Sequence, residues 1–251
     1  MIERIEAFAV SESAVIQTRD LPRIGLIVLA TDLTVERDFR LLAQQHGIAL
    51  DLYVSRIHFA NPITTDSLAA MQADLSMAAG LLLPDCELDA IVFACTSASA
   101  LLGEAAVTAA IQQGKPHVPV ITTAAAAITQ LQQLKAQHIS ILAPYSRAVS
   151  CMLAEYFEQA GFNISALTYM DMADDRDIAC LDPALLMQAV RYAAAQAPKA
   201  EALFVSCTAT RAAERIAVLQ DMSGRAVMSS NYAAFWQAMQ YLQLAEPPYC
   251  G

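Results

Sequence analysis

Two cysteines in matching surroundings carry the chemistry this chain can offer. The stretch Ala90 to Ala100, AIVFACTSASA, reads as an apolar strand that runs into Cys95 and then into Thr96, Ser97 and Ser99, residue types favoured at a helix start. Cys95 is therefore expected at the carboxyl end of a strand, beside free backbone N–H groups whose positive field suits a thiolate. The stretch Ala202 to Arg211, ALFVSCTATR, has the same form, with Cys207 and Thr208 after an apolar run. A lone buried cysteine is ordinarily inert packing, because free cysteine is among the most buried residue types. A matched pair 112 residues apart favours function over packing. If both thiols face one cleft, one can remove a proton beside a carboxylate while the other returns it from the opposite face. Alternatively, a thiolate adds to an alkene and leaves again after bond rotation. Either route gains from donors aimed at the carboxylate.

Other segments repeat in the same order. VPVITTAAAAI (Val118 to Ile128) faces RAVMSSNYAAF (Arg225 to Phe235), and RIGLIVLAT (Arg23 to Thr31) faces HISILAPYS (His138 to Ser146). Three segment pairs at offsets near half the chain predict two copies of one α/β unit. The expected lobes are 22–122 with 230–251, holding Cys95, and 123–229, holding Cys207, after a leader over 1–21 that packs on a neighbour.

The elements that must position the thiols alternate. Strands are expected at Ile24 to Ala30, Ile48 to Ile57, Ala90 to Ala94, Val118 to Ile121, Ile139 to Ala143, Ile164 to Tyr169, Ala202 onward and Ala226 to Ser229. Helices are expected at Val35 to Gln45, Thr65 to Leu83, Leu101 to Gln113, Ala124 to Ala136, Arg147 to Ala160, Pro183 to Gln196, Arg211 to Leu219 and Tyr232 to Leu242, the last holding Trp236 as a core anchor. Asp171 to Asp177, with four aspartates, reads as a solvated loop. Such alternation implies parallel sheets covered by helices, with ligands outside the carboxyl ends of the strands. The loops gathered there (Thr31 to Thr34, Cys95 to Ser99, Thr122-Thr123, Pro144 to Ser146, Cys207-Thr208 and Ser229 to Asn231) are rich in hydroxyls and N–H groups, which suits a carboxylate.

Composition closes off several classes. The 251 residues are 56% hydrophobic, so a substantial core is available, yet no apolar run reaches the ~18 residues of a membrane span. A net charge of −10 argues against nucleic acid as partner. The acidic start MIERIEAF lacks an export signal, and with no disulfide framework a reducing cytoplasm is expected. No C-x-x-C pair occurs among the six cysteines, and the histidines at 46, 58, 117 and 138 lack metal-ligand spacing, so no metal is expected. Cys86, Cys151, Cys180 and Cys250 read as packing or surface thiols. With 8 glycines and no G-x-G-x-x-G or P-loop, dinucleotide binding is disfavoured.

Taken together, RIGLIVLATDLTVERDF, CTSAS, VPVITTAAAAI, the APY at Ala143 to Tyr145, SCTATR and VMSSNYAAFW resemble the maleate cis–trans isomerase and arylmalonate decarboxylase branch of the aspartate/glutamate racemase superfamily. Within it, LATDLTVERDF, RIHFANPITTDSL and the DDRDIA at Asp174 to Ala179 are most similar to the ectoine-utilisation proteins labelled A. The resemblance implies two pseudo-symmetric lobes around a cleft, no cofactor, a small carboxylate substrate and a homo-oligomer. It makes Cys95 and Cys207 the catalytic pair, Thr96, Ser97 and Thr208 donors to a substrate carboxylate, and Tyr145 a substrate hydrogen-bonder. The decarboxylases keep only the second cysteine, so the presence of both favours isomerase or racemase chemistry.

Two alternatives stay open: a decarboxylase of the same fold, and a carboxylate-binding protein without turnover. Substrate charge separates further options. Where the maleate isomerases carry asparagine, this chain has Asp32, and near a second such position it has Asp175. An ionised aspartate only accepts hydrogen bonds and repels a second carboxylate. A substrate with a carboxylate at one end and a cationic or N–H group at the other is therefore expected. The structural alternative for Asp32 is a cap on the helix beginning near Val35.

Overall fold

The computed structural model describes residues 6–10 and 19–248. Most of the expected leader and Cys250 lie outside these residues. The apolar run Arg23–Leu29 forms β1, buried on both faces from Ile24 onward. It pairs in parallel with β2 (Asp51–Ile57) on one side and β3 (Ala90–Phe93) on the other, and β3 pairs with β4 (Val120–Thr122). The second sheet repeats this with β5 (His138–Ala143), β6 (Asn163–Tyr169), β7 (Ala202–Val205) and β8 (Ala226–Ser229). The orders are β2-β1-β3-β4 and β6-β5-β7-β8, so the two sheets share one topology. In each, the chain order reverses between the two central strands. The crevice for a ligand opens at such a switch point, outside the strand carboxyl ends. The four central strands accordingly lead into the Asp32 loop, Cys95, Tyr145 and Cys207.

Helices connect the strands. The first sheet carries α1 (Val35–Gln45), α2 (Thr65–Ala70), α3 (Leu75–Gly80), α4 (Thr96–Leu102) and α5 (Glu104–Gly114). Next come α6 (Thr123–Gln133), α7 (Arg147–Gln159), α8 (Asp175–Ala179), α9 (Pro183–Gln196), α10 (Ile216–Ser223) and α11 (Ser230–Tyr241). Helix α11 packs on α6 and α1, with Phe235 edge-on to Phe39 at 5.6 Å between ring centres. Trp236 is fully enclosed there against Phe235 and His46, as a core anchor should be. No helix among the described residues is long and apolar enough to cross a membrane.

Four expectations need correction. The helix expected over Thr65 to Leu83 is broken, a 3-10 turn at Met71–Asp74 separating α2 from α3. The helix expected from Leu101 starts at Thr96 and restarts after Gly103, whose φ of +80° suits a residue without Cβ. After Cys207 no helix begins until Ile216; turns and a 3-10 segment (Ala213–Arg215) come first. Finally, the acidic loop is not simply solvated, because Asp175 opens α8 and is only 5% exposed.

Candidate active site

Both cysteines end a central strand, but their backbones differ. Cys95 is extended (φ −147°) and stands at the start of α4, with Thr96, Ser97 and Ser99 inside the first turn rather than before it. Ser99 turns its hydroxyl back to the Cys95 carbonyl at 2.6 Å. Cys207 has φ +86°, a left-handed conformation costly for a residue with a Cβ. Its turn is held from several sides. Thr208 Oγ1 donates to the Ala94 carbonyl at 3.2 Å, Thr34 Oγ1 to the Ala209 carbonyl at 3.1 Å, and the Ala209 N–H points to the Cys207 sulfur at 3.4 Å. The turn after Cys207 is thus hydrogen-bonded directly to the residue before Cys95.

A small cavity of about 20 Å³ lies between these strand ends. Asp32, Cys95, Thr96, Ser97, Tyr145, Asp175, Cys207 and Thr208 all line it, whereas Ser99, Thr122, Thr123 and the Ser229 to Asn231 loop do not. Leu29, Phe59, Ile63, Leu68 and Ala209 complete the wall. The apolar contribution of Phe59, Ile63 and Leu68 was not foreseen. That stretch is brought over by the Ile63 N–H bonding to the Ala173 carbonyl at 2.8 Å, and by Asn61 Nδ2 bridging Asp174 and Asp175 at 2.9 Å each. A larger open groove sits before β3 and β4, lined by Arg19, Cys86, Asp89, Lys115 and His117 among others. Its Arg19 is engaged with Glu87 and Asp89, and its Lys115 with the Leu82 and Leu83 carbonyls. Among the described residues, no cluster of three or more His, Cys, Asp or Glu has metal-holding geometry.

The electrostatics correct one expectation. Burial pushes the Cys95 thiol up to about 11, against the Ala98 N–H and the Ser97 hydroxyl, which favour the thiolate. Burial likewise pushes Cys207 up to about 12, opposed by the Ala209 N–H and a hydrogen bond from Tyr145. Desolvation therefore outweighs the helix start, and both thiols rest protonated. Charge adds to this, since Asp175 and Asp32 raise Cys95, and Cys95 and Asp175 raise Cys207. Asp32 is itself pushed up by burial. Its Oδ1 accepts the Thr34 and Val35 N–H groups at 3.0 and 2.9 Å, so it does cap α1 while lining the cavity. Asp175 accepts from Thr31 and Asn61.

Comparison with known proteins fits this geometry. The arylmalonate decarboxylase family model matches residues 60–249. The chain belongs to this family. A maleate isomerase of Nocardia farcinica is 28% identical over 193 residues, covering 74% of this chain and 75% of that protein. A maleate isomerase of Pseudomonas putida is 25% identical over 236 residues, covering 89% and 93%. Among solved structures, the Pseudomonas putida S16 maleate isomerase with maleate superposes with a TM-score of 0.82 at 20% identity, over 92% of this chain and 96% of that one. A Nocardia farcinica maleate cis–trans isomerase mutant holding a covalently bound succinylcysteine intermediate gives 0.81 at 24% identity, over 89% and 93%. These superpositions establish the two-sheet α/β fold. As an arylmalonate decarboxylase family member with maleate isomerase relatives, this chain is an enzyme of the isomerase or decarboxylase kind.

Proposed function

We propose that this family member isomerises or racemises a small carboxylate bearing a cationic or N–H donor group at its other end, using Cys95 and Cys207 as a pair. The observation that carries this reading is one cavity lined by both thiols and by two buried carboxylates, Asp32 and Asp175. A substrate carboxylate fits among Thr96, Ser97, Thr208 and Tyr145, where backbone N–H groups and the Ser97 hydroxyl donate, the Thr96 and Thr208 hydroxyls being given to Ser230 and to the Ala94 carbonyl. An ammonium fits against Asp32 and Asp175. A cation seated there also cancels the negative field those aspartates impose on Cys95, lowering the thiol's pKa when substrate arrives. Substrate then favours loss of one thiol proton to solvent, leaving the thiolate that attacks it.

In the proton-transfer route, a thiolate on one face takes the α-proton and leaves an enediolate held by the donors. The thiol on the other face delivers its proton to the same carbon, so the two sulfurs exchange protonation states and the centre inverts. In the addition route, one thiolate forms a C–S bond to an alkene carbon and the opposite thiol protonates its neighbour. Rotation follows, the proton returns and the C–S bond breaks. The succinylcysteine intermediate of the Nocardia relative supports that route for that protein. A second carboxylate would meet Asp32 and Asp175, which counts against maleate here. A diaminobutyrate or an ectoine-derived amino acid has the required charges.

The test is proton NMR in deuterium oxide with a panel of amino acids, diamino acids and dicarboxylates. Loss of an α-proton signal from a cationic amino acid is expected. Release of carbon dioxide from a malonate, or conversion of maleate to fumarate with no amino acid exchanging, overturns the reading.

A further inference from the structure

The start of α11 is built into both halves of the cavity without lining it. Ser229, Ser230 and Asn231 are all buried. Ser230 Oγ accepts from Thr96 Oγ1 at 2.7 Å, one residue past Cys95. Asn231 Nδ2 donates to the Thr208 carbonyl at 2.8 Å, one residue past Cys207, and also to Asp38 Oδ2 at 2.8 Å. Two adjacent residues thus hold the two cysteine turns separately.

Asp38 is the unusual member. It projects from α1, is 0% exposed, and does not line the cavity. Its Oδ1 has no hydrogen-bond partner, and the Arg37 guanidinium stands 3.5 Å from it. Burying a carboxylate with one oxygen so poorly satisfied is costly. What it supplies is direction. An ionised carboxylate only accepts, so the Asn231 amide must present its NH₂ and not its oxygen. That orientation also lets the amide reach the Thr208 carbonyl. Cys207 is where such restraint is required, because it is left-handed and no helix follows to hold it.

We infer that Asp38 and Asn231 are a positioning pair for Cys207: Asp38 orients the Asn231 amide, and the amide holds the Thr208 carbonyl so that the strained turn keeps the thiol in the cavity. Ser230, through Thr96, has the corresponding duty toward Cys95. The inference rests on the proposed function only in taking Cys207 as a reacting thiol. Its placement is measurable without any turnover.

The experiment alkylates the folded full chain with iodoacetamide and follows Cys95 and Cys207 separately by peptide mass spectrometry. In Asn231→Ala, Cys207 should react about tenfold faster, the equilibrium worth of one hydrogen bond, with Cys95 within about twofold of wild type. Asn231→Ser, polar but too short to span both partners, serves if the alanine variant does not fold. Ser230→Ala should change Cys95 and spare Cys207. Asp38→Leu should copy Asn231→Ala, whereas Asp38→Asn, which still offers an oxygen to Asn231, should restore near wild-type protection of Cys207. A general loosening of α11 would instead accelerate both thiols together in Asn231→Ala, and that result overturns the pairing. So does unchanged Cys207 reactivity in a folded Asn231 variant, or an Asp38→Leu variant that protects Cys207 as well as Asp38→Asn. Failure of the amino acid panel to exchange protons overturns the proposed function and leaves this ratio of rates untouched.

Discussion

Replacing Asp32 by asparagine removes one charge from the cavity and changes little else. Asp32 Oδ1 accepts two backbone N–H groups, from Thr34 and Val35, and an asparagine oxygen can accept both. Loss of charge at the start of α1 costs about 0.3–1 kcal/mol. Against that, burial already pushes the Asp32 pKa up, so removing the charge also relieves a desolvation cost. The two effects offset, and the melting midpoint should scarcely move. Binding is different. An ammonium facing Asp32 loses a charge-assisted hydrogen bond worth about 1.5–3 kcal/mol, which weakens Kd by about ten- to about 150-fold. Titration calorimetry with the amino acid that exchanges its α-proton, run beside thermal melts, measures both numbers. Unchanged affinity with a lowered midpoint would refute the argument and leave Asp32 as a helix cap alone. The double variant Asp32→Asn, Asp175→Asn should also bind maleate more tightly than wild type, because both carboxylates that repel it are gone.

Cys95→Ser and Cys207→Ser should each abolish inversion or isomerisation without shifting the melt, and the double variant should be scarcely slower than either, since paired groups act as a unit; a fully active single variant contradicts this. One-sided α-proton exchange, measured separately in deuterium oxide, is compatible with either single variant. Asp38 has its pKa raised to about 6, chiefly by burial, so its ionisation opposes folding; the destabilisation is present above about 6 and disappears as pH falls from there toward its ordinary 3.8. Asp38→Asn should therefore stabilise the protein above pH 6, by on the order of 3 kcal/mol at most, and give no gain near pH 4 in denaturant titrations. Gly114→Ala should destabilise by about 1–3 kcal/mol or more, because a Cβ there would sit 1.8 Å from the Ser76 carbonyl oxygen where α5 crosses α3; a denaturation midpoint equal to wild type would show that the helices can part.

Much of this architecture was legible in the chain as written. Continuous apolar runs such as Ile24 to Leu29 and Ala90 to Phe93 state that a strand is buried on both faces, and their alternation with helices dictates parallel sheets. The repeated order of Arg23, Ala90 and Val118 segments with their later twins pointed to two sheets of one topology, and strand ends in such sheets collect ligand-binding groups. Cys95, Cys207, Tyr145 and the hydroxyls around them could be named for that reason. Local pattern could not say how each turn closes. CTSAS and CTATR look alike, yet one starts a helix and the other makes a left-handed turn, because Thr34, Ala94 and Asn231, remote in sequence, hold the second. Nor could it say that Asp175 is buried, since that follows from Asn61 and Thr31 arriving from the other half of the chain. The resting protonation of the thiols is hidden from the sequence for the same reason. A helix start is visible in sequence, whereas desolvation is set by what the whole fold packs around the sulfur, and here desolvation is the larger effect.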